Sequence, residues 1–499
     1  MTAHEPQLHL LSAVELGGLL RTRAVSAREV LACHLDQVER VNPAVNAVVT
    51  LTAERAVETA RRLDELIVRD GPVGVLHGIP VAHKDLAETR GVRTTYGSPL
   101  YADHVPDFDA AVVERMAAAG AVSIGKTNTP EFGAGSQTFN PVFGATRNPY
   151  DHARTAGGSS GGAAAALATC MVALADGSDL GGSLRNPASF CNVVGFRPTA
   201  GLVSKWPTRS GWFPMDVTGP MARGVEDVAL LLSAIAGDDP RLAQSLPVSG
   251  ASFAPPLGAD VSRVRVAWNR DLGGLPVSRD VTAVLEGVGR PALTGLGWEV
   301  EDVEVDFAGA EEAFRTWRSW YQALSLGDVF EQHPEMLKAD LRWEIARGLR
   351  VTGGDLARAE VLREALYGRV QRLMGDYDLL ALPVAQVPPF PVELPWVTEI
   401  EGVPQGSYLD WMRAAYFVSV TGLPAISVPC GFTAGGLPVG IQLVGRPRGD
   451  RRLLELAYAV EQATGASSRR PPPPDRRGSQ PVGPSASGEA EGTSAQATD

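Results

Sequence analysis

Two hydrophobic periods alternate along this chain. Val30, Leu31, His34, Leu35 and Val38 recur at the spacing of one helix face. Ser26 and Glu29 form an S-x-x-E capping box ahead of them, which predicts a helix running to about Val41. Ser12 and Glu15 make a second box one helix earlier. Short strand-like runs fall at 47–51, 79–83, 121–125, 264–268, 378–382 and 440–444. Helical stretches separate them near 53–69, 109–119, 162–175, 226–236, 280–290, 357–374 and 452–464. Such alternation predicts an α/β fold with a central mixed sheet.

Two apolar stretches test for a membrane span. Ala163 to Ala175 is 13 residues long, which suits a buried helix rather than a crossing. The uncharged run 414–445 is broken by Pro424, Pro429 and Pro438 and reads as buried strands and turns. The pattern fades at Ala466: residues 466–499 contain no Leu, Ile, Phe, Met, Trp or Tyr and include Pro471 to Pro474. Such a segment buries too little surface to offset its ordering entropy, so a folded unit over 1–465 and a disordered tail over 466–499 are expected.

Charge narrows the class further. Lys plus Arg is 45 and Asp plus Glu is 57, giving a net charge of −12. That argues against nucleic acid or an anionic membrane as the main partner. The N-terminus lacks the basic stretch and long apolar run of a secretory signal, and Cys33, Cys170, Cys191 and Cys430 have no metal-ligand spacing. A cytoplasmic location is the resulting expectation. Only four of the basic residues are lysines: Lys84, Lys126, Lys205 and Lys338. A position that keeps Lys in so arginine-rich a chain is a candidate for a proton that can be lost.

Three short motifs carry possible chemistry. G-A-V-S-I-G-K-T at 120–127 fits the phosphate-loop pattern, but Val122, Ser123 and Ile124 are strand-like and Thr127 leads into Asn-Thr-Pro instead of a helix. It reads as a core strand leaving through a turn. G-G-S-S-G-G at 157–162 satisfies G-x-S-x-G around Ser159. The only histidine after His152 is His333, in a charged stretch, so a Ser-His-Asp triad does not fit. D-L-G-G-S at 179–183 allows backbone N–H groups to converge as in an oxyanion hole. A helix over 162–175 would rise about 21 Å. The eight residues that follow reach up to about 26 Å when extended, so Ser183 can return beside Ser159, although nothing in the spacing requires it.

Taken together, these motifs identify a family. The run 144–203, with HGIPVAHKDL at 77–86, GKTNTPEFG at 125–133 and GLPAISVPCGF…GLPVGIQLVG at 422–445, resembles the amidase signature family over roughly residues 10–465. The resemblance implies one α/β domain, its core motif region at 77–203, with a mixed sheet of about eleven strands covered by helices on both faces. It implies a serine hydrolase of non-peptide C–N bonds with no metal and no cofactor. Ser183 would be the nucleophile, Ser159 the bridging serine after a cis peptide, and Lys84 the base. The N–H groups of Leu180, Gly181, Gly182 and Ser183 would form the oxyanion hole, with Asp179 and Arg185 bracing the loop.

Elementary chemistry agrees with those roles. A serine hydroxyl needs an adjacent base. A solvated lysine is neutral only about once in a thousand near pH 7.4, so burial must lower its pKa. Arg could not serve, and strand alternation turns the neighbouring His83 to the opposite face.

The implied activity is hydrolysis of a small aryl or alkyl amide, with esters and carbamates also open, through an acyl-serine. The partner would be the small-molecule substrate, and a homodimer is possible by analogy with relatives. Specificity should lie in 310–345, with Trp317, Trp320 and Tyr321, and in 384–411, with Phe390, Trp396 and Trp411; these aromatics are either core packing or an apolar pocket wall. The alternative is the glutaminase (A) subunit of a tRNA-dependent amidotransferase, which shares fold and triad. That subunit usually has Thr where this chain has Leu180.

Overall fold

The computed structural model describes residues 7–473. Its eleven-stranded sheet comprises β1 (Val48–Leu51), β2 (Pro80–Lys84), β3 (Val122–Thr127), β4 (Leu174–Asp179), β5 (Val194–Arg197) and β6 (Val217–Ala222). It continues with β7 (Arg265–Trp268), β8 (Glu299–Asp302), β9 (Leu379–Pro383), β10 (Ala425–Phe432) and β11 (Pro438–Val444). Their spatial order is β1-β3-β2-β4-β6-β5-β10-β11-β9-β7-β8. Pairs β2–β3, β2–β4, β7–β8 and β7–β9 are parallel and the rest antiparallel, so the sheet is mixed.

Both faces of the sheet are covered. Along β9, Leu379 and Ala381 join one apolar cluster while Leu380 and Leu382 join another, as the two-residue side-chain period demands. The first cluster takes in helices Ala27–Val45, Val225–Ile235 and Asp450–Thr464. Helices Ala310–Gln332, Gly353–Asp376 and Arg413–Thr421 contribute to the second. Both expected capping boxes form at Ser12 and Ser26.

The sharpest departure from the sequence reading lies next to the signature loop. The helix expected over 162–175 covers only Gly161–Ala168, and Leu174–Asp179 is a strand. A run this Ala-rich and uniformly apolar has no amphipathic period to mark where helix stops; Cys170, at φ 60°, turns the chain back. Likewise, 414–445 opens as the helix Arg413–Thr421 instead of a strand. The 280–290 helix is a composite of Arg279–Val284, a π-turn at Leu285–Gly289 and Arg290–Gly295. The segment expected to be disordered from Ala466 begins ordered: Ala466–Ser468 form a 3₁₀ turn, and the Arg469 carbonyl accepts from Tyr150 Oη at 2.7 Å. The rest of that segment, 474–499, lies outside the described residues.

Candidate active site

Lys84 ends β2, and Ser178 lies near the end of the adjacent parallel strand β4. Two parallel strands therefore deliver their carboxyl ends to one place, where α/β sheets usually bind ligands. Lys84 is 1% exposed. Its Nζ lies 2.7 Å from Ser159 Oγ and 3.0 Å from Ser178 Oγ. Burial lowers its pKa to about 7, against the opposing pull of Asp216, Asp176 and Asp179.

Ser159 follows a cis Gly158–Ser159 peptide, just before the helix Gly161–Ala168. The Ser160 N–H donates to the Ser183 carbonyl at 3.2 Å, tying the glycine-serine turn to the second loop. Ser159 and Ser183 line one cavity of about 450 Å³. Ser183 Oγ makes no hydrogen bond among the described residues.

The loop 179–185 is held from beneath by an ionic cluster. Asp179 accepts from Gly182 N at 2.8 Å and Leu184 N at 3.2 Å. Arg185 donates to the same carboxylate at 3.0 and 2.9 Å and reaches the Ala415 carbonyl and Ser419 Oγ. Arg197 adds a contact at 3.1 Å. Burial would raise the Asp179 pKa, but the two guanidinium groups and the loop N–H bonds hold it well below the usual carboxylate range.

For Gly182 the structure departs from the sequence expectation. Its N–H is committed to Asp179, so it braces the loop and is not free to meet an oxyanion. The N–H groups of Leu180, Gly181 and Ser183 have no protein acceptor among the described residues. Gly182 sits at φ 114°, and a Cβ there would lie 2.5 Å from that of Ala415. Only glycine fits.

A family model described as Amidase matches residues 29–454. The chain belongs to this family, the amidase signature enzymes. It is 37% identical over 493 residues to the glutamyl-tRNA(Gln) amidotransferase (A) subunit of Moorella thermoacetica, covering 93% of this chain and 99% of that one. Among solved structures it is similar to a bacterial aryl acylamidase of the amidase signature family, with TM-score 0.85, 27% identity and coverage of 92% and 98%. It is also similar to a 6-aminohexanoate cyclic dimer hydrolase, with TM-score 0.82, 30% identity and coverage of 94% and 99%.

Other residues of this amidase fall where the sequence reading did not look. Ser178 contacts the lysine directly; the polar run D-G-S-D at the end of an otherwise apolar strand was the available signal. His83 is buried against Asp176, Nδ1 to Oδ1 at 2.6 Å, and does not line the cavity. In the phosphate-loop lookalike, Lys126 is buried in β3 and donates to the Ala87 carbonyl and Thr89 Oγ1. Gly125 there admits the β1 backbone: a Cβ would lie 1.9 Å from the Thr50 carbonyl oxygen.

The specificity segments divide unevenly. Tyr321 lines the cavity, whereas Trp317 and Trp320 pack around Phe213. Trp411 stacks on Phe190 in the core, Phe390 meets both edge to face, and Trp396 packs against the same cluster. Besides Tyr321, the aromatic lining comes from Tyr96, Tyr101, Phe132 and Trp206, with Leu180 and Met412 among the apolar residues of the wall. No described helix is long and apolar enough to cross a membrane.

Proposed function

We propose that this protein hydrolyses a carboxylic amide through an acyl ester on Ser183. The observation that carries this reading is the buried Lys84 within 2.7 Å of Ser159 Oγ, in the cavity that also exposes Ser183. Neutral Lys84 takes the proton of Ser159, which takes that of Ser183 as its Oγ attacks the carbonyl carbon. The N–H groups of Leu180, Gly181 and Ser183 stabilise the oxyanion. The proton returns to the amine as the C–N bond breaks, and water then cleaves the acyl ester by the reverse relay.

For the substrate, the site geometry favours a free-standing amidase acting on a small aryl or alkyl amide. Leu86, Val112, Phe132, Leu180, Leu326 and Met412 give the cavity an apolar part that suits an aryl or alkyl group, and the Leu180 side chain offers no polar group to an amino-acid substrate. A second reading has the stronger support from sequence relatives: the glutaminase component of a tRNA-dependent amidotransferase, the complex to which the Moorella relative's name assigns it. In that case ammonia would be released from glutamine for a partner protein.

One comparison separates them. Release of nitroaniline from a short acyl-nitroanilide by the isolated protein, abolished in Ser183→Ala, supports the free-standing amidase. Glutaminase activity without nitroanilide turnover supports the amidotransferase reading. Undiminished turnover by Ser183→Ala sinks both.

A further inference from the structure

The cavity wall carries a carboxylate, Glu88, that forms no ion pair among the described residues and on which Lys126 and His104 act electrostatically. It accepts one side-chain hydrogen bond, from Tyr96 Oη at 3.1 Å. Tyr96 and Tyr101 stand edge to face beside it, 5.1 Å between centroids; Trp206 also lines the cavity, but its ring already carries the Arg241 guanidinium, 4.2 Å from the centroid. Burial holds the Glu88 carboxyl above its ordinary pKa.

The other charges of the wall have partners. Arg318 is paired with Glu344 at 2.6 Å and Arg209 with Asp328 at 2.8 Å. Asp176 holds His83. Lys205 donates to the Phe213 carbonyl at 2.6 Å, with Asp216 its main electrostatic partner, and Asp216 accepts from Tyr321 Oη at 3.1 Å. Lys126, behind Glu88, is tied to Ala87 and Thr89. His104 stacks on Tyr96 with centroids 5.8 Å apart.

We infer that Glu88, beside the rings of Tyr96 and Tyr101, selects amides that carry a cationic amine. An ammonium group there gains a charge-assisted hydrogen bond and faces aromatic rings, whereas a carboxylate meets a like charge. This rests on the amide-hydrolase reading and narrows its substrate class.

The test separates binding from turnover. Ser183→Ala binds three 4-nitroanilides in a calorimeter at pH 8: 5-aminopentanoyl, hexanoyl and adipoyl, which share a four-methylene tether. A second set, hexanamides with N-pentyl and N-(4-aminobutyl) groups, covers a cation on the amine side. In at least one set the cationic member binds about tenfold or more tighter than its neutral isostere, and adipoyl binds weakest. Glu88→Gln in the same background removes the preference; Tyr96→Phe, which keeps the carboxylate, reduces it only in part.

Equal binding of cationic and neutral members in both sets overturns the inference. So does a preference that survives in folded Glu88→Gln, or failure of every compound to bind. Wild-type turnover is read separately. A binding preference without hydrolysis leaves the cation site standing and counts against the free-standing amidase. Ser183-dependent hydrolysis without charge preference does the reverse.

Discussion

Lys84 Nζ and Ser159 Oγ lie 2.7 Å apart in a setting that burial makes hostile to the ammonium form. A lysine lowered to about 7 is protonated in more acidic solution and neutral above it, so the base is present only on the alkaline side. Amide turnover should rise about tenfold per pH unit below 7 and level off above pH 8. A kcat/KM profile flat from pH 5 to 9, with chemistry rate-limiting, would remove Lys84 from the role of base. Lys84→Arg should be inactive by about a thousandfold or more, because guanidinium cannot give up its proton.

Asp179 balances Arg185 and Arg197 where all three are buried. Asp179→Asn leaves two guanidinium groups without their carboxylate and should cost about 3–5 kcal/mol in chemical denaturation. Replacing both partners of a buried pair can be neutral, but here two cations share one anion. A loss below ~1 kcal/mol would show that the cluster does not hold the loop.

Gly182→Ala tests the loop backbone instead of its charge. The substitution must move either Ala415 or the loop itself, since the added carbon has no space and φ 114° disfavours it. Displaced N–H donors should lower kcat about a hundredfold with KM little changed. Wild-type kcat in a folded Ala variant would dissociate the loop geometry from catalysis.

Far from the site, burial raises the Glu461 carboxyl to about 7, while a backbone hydrogen bond from Val225 opposes the shift. The unfolded chain ionises nearer 4.5, so this group's contribution is fully present below that pH and is lost as pH rises toward 7. Glu461→Gln keeps the acceptor without the charge and should stabilise the protein by about 1–3 kcal/mol at pH 8, with little effect at pH 4.5. Thermal melts of both proteins at the two pH values decide it. An equal shift at both would mean the carboxyl is not titrating in this range.

Much of the site was legible because its chemistry is written in contiguous motifs. Lys84 stands at the end of a recognisable strand, and G-G-S-S-G-G and D-L-G-G-S announce turns by their glycines. The same locality misled in one place: Ala163 to Ala175 looks like one helix because alanine and leucine favour helix whether or not the chain continues straight. Pairing of Leu174–Asp179 with β2 and β6 outweighs that preference, since a central strand satisfies its backbone on both sides.

By itself, the sequence determined the family, the α/β plan and the motif positions of Lys84, Ser159 and Ser183, to which the proposed base, relay and nucleophile are assigned. Those properties depend on residue type and short spacing. Tertiary structure alone decided that the Gly182 N–H is spent on Asp179, that Ser178 joins the lysine, and that Tyr96, Tyr101, Phe132 and Trp206, not Trp317 or Trp411, line the cavity. The Gly182 brace is local, three residues apart, but depends on the loop's backbone path; the others arise where segments distant in the chain converge, and an aromatic side chain looks the same in sequence whether it fills a core or faces a cavity.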